Sequence, residues 1–428
     1  MKAPTSPKPD IRNLDFGRSP FIVIWEVTQA CDLACRHCRA EARPWRDPCE
    51  LSTEQGMALL NEVRIFGRIL FVLTGGDPLY RPDIYDVIRH GTEIGLRMTM
   101  TPSGTKLVRK AMVRRMKDEG LSRLAVSLDG HNRETHDGFR GVAGSFAWTM
   151  RCIRWAREVG LEVQVNTTVT RFNQHHIREI GEMLRAEGIR LWSVFFLVPV
   201  GRGLKHDMAS PAMHEELFHL LYDMGREMPY DIKTTAAQHY RRVVLQRAAH
   251  ERARRIHGSA EETPLPIGPP PDPLSNGFAL GIGRASKGVN DGNGFVFISH
   301  TGEVFPSGFL PFSAGNGRKR GIVEIYRESK VLKDLRRPSA LKGKCRDCDY
   351  ADVCGGSRAR AYGVTGDYLA SGPYCTYHPP EPARDRPAWN SYKGARKEAG
   401  GLSRAQVMAL MGEGEGKPAG PSMSRTSS

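Results

Sequence analysis

The feature that most constrains the fold is a regular alternation of strand-like and helix-like segments between residue 21 and about residue 225. The strand-like runs are rich in β-branched and aromatic residues, and the stretches between them carry apolar residues at helical spacing. The six candidate strands span 21–28, 69–76, 96–103, 123–130, 161–170 and 191–200. Strands that alternate with helices form a parallel sheet with right-handed crossovers. The pattern therefore predicts an α/β fold, either a doubly wound sheet or an incomplete β/α barrel.

The segments outside this core differ from it in composition. Residues 1–20 are polar and are interpreted as an N-terminal arm, and residues 226–293 as a helical and proline-rich connection. Residues 294–380 are predicted to form a small cysteine-rich domain that begins with a hairpin, with His300 in its turn. Residues 381–428 are rich in Gly, Ser, Pro and basic residues, which predicts a mostly flexible tail.

Composition excludes several classes of protein. No run of eighteen apolar residues is present, and the N-terminus lacks a hydrophobic signal segment, so we expect a cytoplasmic protein without a membrane partner. The net charge is +15, but the basic residues are spread along the chain, which disfavours nucleic acid as a partner. In a reducing compartment the nine cysteines are expected to be ligands or free thiols rather than disulfides.

Three of these cysteines form a compact motif directly after the first strand. Cys31, Cys35 and Cys38 have the spacing C-x3-C-x2-C, at the sheet edge where α/β proteins carry their chemistry. Three thiolates suit an iron–sulfur cluster and leave one iron without a protein ligand. Zinc is the alternative, and it would require a fourth ligand, for which Cys49 is available.

A cysteine loop of this spacing after a first strand resembles the signature of the radical SAM superfamily. The resemblance covers residues 21 to about 200 and about 290 to 378. It implies a partial (β/α)6 barrel of the TIM type, a small C-terminal iron–sulfur domain, and a catalytic [4Fe–4S] cluster on the three cysteines. It also implies that S-adenosylmethionine binds the open iron and is cleaved by one electron to a 5′-deoxyadenosyl radical, which abstracts hydrogen from a substrate. His37, just before the third cysteine, would then lie beside the adenine.

The ends of the next strands also carry residues that fit this resemblance. Gly75, Gly76 and Asp77 are similar to the family's Gly-Gly-Glu element, although a plain strand-to-helix turn explains the same residues. Ser127 and Asp129 alternate along one strand and therefore share a face. By resemblance, Ser127 and Arg140 are expected to hold the methionine carboxylate. The other candidates at strand ends, for ribose, adenine or carboxylate contacts, are Ser103, Asp129, Asn166 and Val198.

Four further cysteines lie near the C-terminus. Cys345, Cys348, Cys354 and Cys375 resemble the ligands of a SPASM or twitch accessory region. Full SPASM regions hold two auxiliary clusters, and here Ser307 and Arg358 stand where the first of them would need cysteines. The resemblance therefore implies one auxiliary [4Fe–4S] cluster with four protein ligands, suited to electron relay. A zinc site is the alternative, since four cysteines also suit zinc.

The substrate is the least constrained part of the prediction. The segments FFLVPVGRG (195–203) and GEVFPSGFLP (302–311) resemble proteins of the heme d1 and alternative heme pathways, and Arg202 and Lys205 are candidates for contacts with tetrapyrrole propionates. We therefore expect an oxidoreductase acting on a tetrapyrrole-like substrate, with a reducing donor such as flavodoxin or ferredoxin. The alternatives are a peptide- or protein-modifying maturase, a non-catalytic iron–sulfur electron carrier, and a zinc-dependent nucleic-acid binder.

Overall fold

One ten-stranded sheet organises the protein, and its central strands run parallel in chain order. The computed structural model describes residues 14–257 and 288–379. The strand order is β10-β9-β8-β1-β2-β3-β4-β5-β6-β7. The strands are β1 Ile22–Glu26, β2 Leu70–Thr74, β3 Arg97–Met100, β4 Arg123–Ser127, β5 Glu162–Val169, β6 Leu191–Phe196, β7 Asp231–Thr235, β8 Phe295–Ile298, β9 Glu303–Phe305 and β10 Gly315–Asn316.

The order of the parallel strands decides between the two predicted architectures. From β1 to β7 each strand pairs with the next strand along the chain, and the sheet does not close on itself. A doubly wound sheet reverses its strand order at a switch point, and this sheet has none. The incomplete barrel is therefore confirmed, with all six predicted strands present. A seventh strand, β7, lies in the segment that the sequence assigned to a helical and proline-rich connection.

Eleven α-helices accompany the strands in the described residues. They are α1 Thr53–Arg64, α2 Ile84–Glu93, α3 Lys110–Asp118, α4 Arg133–Arg140, α5 Ser145–Glu158, α6 Ile177–Glu187, α7 Pro211–Glu227, α8 Tyr240–His257, α9 Ile322–Glu328, α10 Lys330–Leu335 and α11 Arg358–Thr365. Local sequence sets the start of α1, because Ser52 and Gln55 form a capping box that satisfies backbone amides at this end of the helix. Its Gly56 faces the buried indole of Trp25 on β1, so even a methyl group there would collide with the ring.

The cysteine-rich C-terminal part shares its sheet with the barrel. Strand β8 pairs in parallel with β1, with Ile22 opposite Phe295. Strands β8 and β9 form the predicted hairpin, with His300 and Gly302 in the connection between them. Hydrogen bonds of one continuous sheet join the segments on either side of residue 294. The predicted domain boundary there stays a prediction.

Some predicted features lie outside the described residues. These are most of the N-terminal arm, the proline-rich segment 262–277 and the tail 381–428. Within residues 14–257 and 288–379, none of the helices has the length and apolar character needed to cross a bilayer.

Candidate active site at the barrel mouth

The three cysteines of the first motif lie together on the loop between β1 and α1, at the carboxyl end of β1. Cys31 and Cys35 are buried, Cys38 is half-buried, and the three pack in one small cluster with Leu33. The amide of Cys31 donates to the carbonyl of Arg43 at 2.8 Å, which ties the start of the loop to its return. The backbone therefore brings the three thiols to one place, as the spacing predicts.

Each of these sulfurs accepts a hydrogen bond. The donors are the amide of Leu33 for Cys31, the guanidinium of Arg140 for Cys35 and the amide of Ala42 for Cys38, at 3.4, 3.5 and 3.5 Å. Such donors stabilise thiolates, whereas burial raises the pKa of Cys31 to about 11. Three thiols that accept hydrogen bonds in one place form a donor set that fits an iron–sulfur cluster. Zinc with a fourth ligand stays open as the alternative.

The two glycines after β2 allow the chain to approach the cysteine loop. A Cβ atom on Gly75 would overlap the carbonyl oxygen of Thr28, and one on Gly76 would overlap that of Ala30. The amide of Gly76 donates to Thr28 at 2.8 Å, and the amide of Asp77 donates to Ala30 at 2.6 Å. The glycines thus let the end of β2 approach the backbone of the loop that carries the cysteines, and their contact with a cofactor stays a prediction.

Asp77 makes the contacts of a turn-capping residue. Its carboxylate is fully buried and accepts from the amide of Leu79 and the hydroxyl of Thr105, each at 3.2 Å. Burial raises the pKa of Asp77 to about 6. Ser103 lies closer to the cysteines, since its hydroxyl is 3.1 Å from the sulfur of Cys31. The simpler alternative of a strand-to-helix turn therefore describes what the Asp77 side chain does here.

A buried ion pair connects the fourth strand to the cysteine loop. A carboxylate oxygen of Asp129 lies 2.5 Å from the guanidinium of Arg140, and the other oxygen accepts from the amide of Thr168 at 2.7 Å. Although burial opposes its charge, Asp129 and the sulfur of Cys35 raise the pKa of Arg140. Asn173, which the sequence did not single out, donates to the carbonyl of Asp129 at 2.9 Å. Arg140 is thus held rigidly beside Cys35.

The remaining cofactor candidates occupy different parts of the mouth. His37 stacks on Phe139 with ring centroids 4.4 Å apart, and burial together with Arg140 lowers its pKa well below the ordinary value. Ser127 and Asn166 are opposite each other on β4 and β5. Val198 instead faces the C-terminal part, where it packs in a separate apolar cluster with Leu310, Ala236, Leu335 and Ala359. His37 therefore lies within the cysteine loop, whereas Val198 packs with residues of the C-terminal part, and the contacts of both with a cofactor stay predictions.

A buried charge network that the sequence did not reveal contacts the cysteine loop. Glu26, the last residue of β1, pairs with Arg39 at 2.5 Å, and its carboxylate lies 3.0 Å from Nδ1 of His300. Although burial opposes both shifts, Arg39 and His300 lower the pKa of Glu26, and Glu26 raises that of His300. Because Arg39 follows Cys38 directly, the hairpin turn of the C-terminal part is linked through these charges to the cysteine loop.

The second set of cysteines also converges. The four thiols line one cavity of about 550 Å³, counted with its open mouth, together with His239, Arg242 and Tyr374. The amide of Gly356 donates to the sulfur of Cys354 at 3.3 Å, and the amide of Gly372 donates to that of Cys345 at 3.2 Å. A cavity lined by four cysteines with amide donors suits a cluster. The auxiliary cluster itself stays a prediction.

The two positions that lack cysteines meet in one polar cluster. Ser307 and Arg358 are buried, and both interact with the buried carboxylate of Asp291, which also accepts from the amide of Ala359 at 2.9 Å. The guanidinium of Arg358 donates to the carbonyl of Ala370 at 2.8 Å. Hydrogen bonds and the Asp291 carboxylate thus hold Ser307 and Arg358, the residues that stand where a full SPASM region would need cysteines.

Comparisons with known proteins agree with this arrangement. The model of the radical SAM superfamily matches residues 25–185. The chain is 40% identical over 360 residues to the AdoMet-dependent heme synthase of Nitratidesulfovibrio vulgaris, covering 84% of this chain and 92% of the relative. It is 39% identical to the enzyme of the same name from Methanosarcina barkeri, covering 84% of this chain and 97% of that one.

The fold is also similar to that of solved structures. The crystal structure of Streptococcus suis SuiB bound to S-adenosylmethionine superposes with a TM-score of 0.59 at 15% identity, covering 84% of this chain and 78% of that one. At this identity the likeness concerns the fold alone. It extends over most of the chain.

Proposed function

The chain belongs to the radical SAM superfamily, and from that premise we propose that it modifies the side chains of a tetrapyrrole in heme formation. The observation that carries the chemistry is the loop that presents Cys31, Cys35 and Cys38 at the barrel mouth. Support for the substrate class comes from relatives named as heme synthases, which are about 40% identical over nearly the whole of their length.

Members of this family carry a [4Fe–4S] cluster and bind S-adenosylmethionine. When bound, these groups supply the one-electron chemistry that removes hydrogen from a substrate. In this chain, the three cysteines are proposed to hold the cluster, and Ser127 and Arg140 to orient the carboxylate of S-adenosylmethionine. Arg140 suits this role because Asp129 fixes its position, while its Nε is buried and has no hydrogen-bond partner in the described structure. His37, held flat on Phe139 and uncharged at neutral pH, offers a surface for the adenine.

The substrate assignment is tested by incubation of the reconstituted enzyme with candidate substrates. The protein is reduced with dithionite under anaerobic conditions, supplied with S-adenosylmethionine, and given either an iron porphyrin with carboxylate side chains or peptides encoded by neighbouring genes. We expect a mass change in the porphyrin, accompanied by 5′-deoxyadenosine. A mass change in a peptide alone would favour the maturase alternative, and release of no 5′-deoxyadenosine at all would favour the electron carrier.

We also propose that Cys345, Cys348, Cys354 and Cys375 hold one auxiliary [4Fe–4S] cluster. Two clusters correspond to about eight irons per chain. Replacement of both Cys345 and Cys354 with alanine should lower the iron content to about four, because only two thiols, fewer than the three proposed for the first cluster, remain at this site. The matched control is Cys49→Ala, since Cys49 is exposed and belongs to neither set. Bound zinc together with about four irons in the unmodified protein would contradict the auxiliary cluster.

An enzyme of this family requires an electron donor, and its substrates are small molecules or peptides. Flavodoxin or ferredoxin is proposed as the donor here, with the cytoplasm as the location, because reduced cysteines must stay available as ligands. Reduction of the clusters by purified flavodoxin, followed by absorbance, measures the first of these directly.

A further inference from the structure

Two large apolar side chains are exposed at the barrel mouth. Phe172, on the loop after β5, is 52% exposed, and Leu204, on the loop after β6, is 50% exposed. The carboxyl ends of parallel strands meet at one edge of a sheet, so both loops lie on the side of the cysteine loop. Apolar side chains on the loops that surround a functional site can contact an apolar ligand.

Specific contacts tie these two loops to each other and to the cysteines. The guanidinium of Arg36, which lies between Cys35 and Cys38, is 5.3 Å from the ring centroid of Phe172. The amide of Arg171 donates to the carbonyl of Asp207 at 2.9 Å, which joins the loop after β5 to the loop after β6. The amide of Arg202 donates to the carbonyl of Cys38 at 3.0 Å. Together the three loops form a continuous rim around the cluster ligands.

The charge of this rim is positive. Arg36, Arg171, Arg202 and Lys205 contribute cations. The same loops carry fewer acids: Asp32 accepts from the hydroxyl of Tyr80, Asp207 lies 3.3 Å from His206, and Glu41 is exposed after Cys38. Moreover, the Nε and one terminal nitrogen of Arg202 are buried and have no hydrogen-bond partner among the described residues. A buried guanidinium with unused donors is suited to bind a carboxylate.

We propose that this rim, made of the loops that carry Arg36, Phe172, Arg202, Leu204 and Lys205, binds the flat face and carboxylate side chains of the tetrapyrrole substrate. The inference rests on the proposed function and adds the residues that select the substrate. Phe172 and Leu204 contact the apolar face of the macrocycle, and an aromatic ring prefers an offset stack there. Arg202 and Lys205 pair with its carboxylates, which places the macrocycle edge next to Cys38.

Binding to the reconstituted holoenzyme tests the proposal without turnover. The probe is the iron complex of a porphyrin with four carboxylate side chains, titrated while its absorbance is followed, and its tetramethyl ester is the uncharged comparison. We expect Phe172→Ala and Lys205→Glu each to raise the Kd about tenfold. The ester should bind the unmodified enzyme more weakly than the acid does. The control Ile65→Ala should stay within about twofold, because Ile65 is also an exposed apolar residue, 67% exposed, but follows α1 at the opposite edge of the sheet.

Arg202 needs a second measurement, because S-adenosylmethionine also carries a carboxylate. Arg202→Gln should weaken porphyrin binding about tenfold and leave the affinity for S-adenosylmethionine within about twofold of the unmodified enzyme. Loss of S-adenosylmethionine binding with unchanged porphyrin binding would overturn the assignment of Arg202 to the substrate.

The remaining outcomes separate this inference from the proposed function. If the unmodified enzyme binds no carboxylate porphyrin, the proposed function fails. If it binds the porphyrin and the variants at Phe172 and Lys205 bind it equally well, the function stands and the rim assignment is wrong. The assignment is also wrong if these variants slow reduction by flavodoxin but keep the porphyrin Kd, since the rim would then be a protein-docking surface.

Discussion

Replacement of Cys35 with alanine is expected to reduce the release of 5′-deoxyadenosine by more than about 100-fold. Loss of a residue that only hydrogen-bonds to a metal ligand already costs up to about 100-fold in activity, and loss of the ligand itself should cost more. Cys35 is buried and contributes one of only three protein thiols at the barrel mouth. Its sulfur also accepts the hydrogen bond from Arg140, so the variant removes a proposed cluster ligand and a contact of the buried Asp129–Arg140 pair.

The measurement is 5′-deoxyadenosine released per chain after reduction with dithionite and addition of S-adenosylmethionine. Cys49→Ala is the matched control, because Cys49 is exposed and its thiol lies outside the cluster of Cys31, Cys35 and Cys38. Circular dichroism of both variants shows whether the fold is retained. Undiminished release from a folded Cys35→Ala protein would contradict the assignment of the loop as the cluster site.

Replacement of Arg360 with methionine is expected to lower the free energy of unfolding by about 3 kcal/mol, the range for leaving buried carbonyl groups without donors. Arg360 lies on α11, is 1% exposed, and donates to the carbonyls of Phe196, Leu197 and Ala236 at 2.9, 3.2 and 2.6 Å. These carbonyls follow β6 and β7, so one guanidinium fastens the cysteine-rich part to the last strands of the barrel. Burial lowers its pKa to about 10, which still leaves it charged at neutral pH.

The urea midpoint of unfolding, followed by circular dichroism, measures this loss. The urea midpoint of Arg360→Lys should lie between those of the unmodified protein and Arg360→Met. Lysine keeps the charge, but it lacks the planar guanidinium that reaches three carbonyls at once. Arg151→Met is the control, because Arg151 is exposed on α5. An Arg360→Met midpoint equal to that of the control would show that the three carbonyls find other donors.

Local patterns in the sequence predict much of the fold, because strand and helix periodicities are properties of short segments. All six predicted strands are present, and the hairpin around His300 is where the turn residues place it. Strand β7 is different: it has five residues, DIKTT, of which only Ile232 is buried, so it lacks the alternation that marks a strand. The pairing of β8 with β1 has no local signal at all, since it joins two segments from opposite ends of the chain.

The candidate site shows the same division. Spacing alone brings Cys31, Cys35 and Cys38 together, and resemblance identifies Arg140 as a residue of the site. Neither reveals that Asp129 is the partner of Arg140, because that contact depends on how α4 packs over the end of β4. The link between Glu26, Arg39 and His300 is equally invisible in the sequence, since it exists only once β8 lies beside β1.

The parallel pairing of β8 with β1 also constrains how the protein is made. Strand β1 leaves the ribosome well before β8, its neighbour on one side, which begins at Phe295. Until then its outer edge carries unpaired amide and carbonyl groups, which can template association with other chains. Synthesis must therefore pass Ile298 before the strand that leads into Cys31 is paired on both sides, and a nascent chain that stalls earlier exposes an unpaired strand edge beside the cysteine loop.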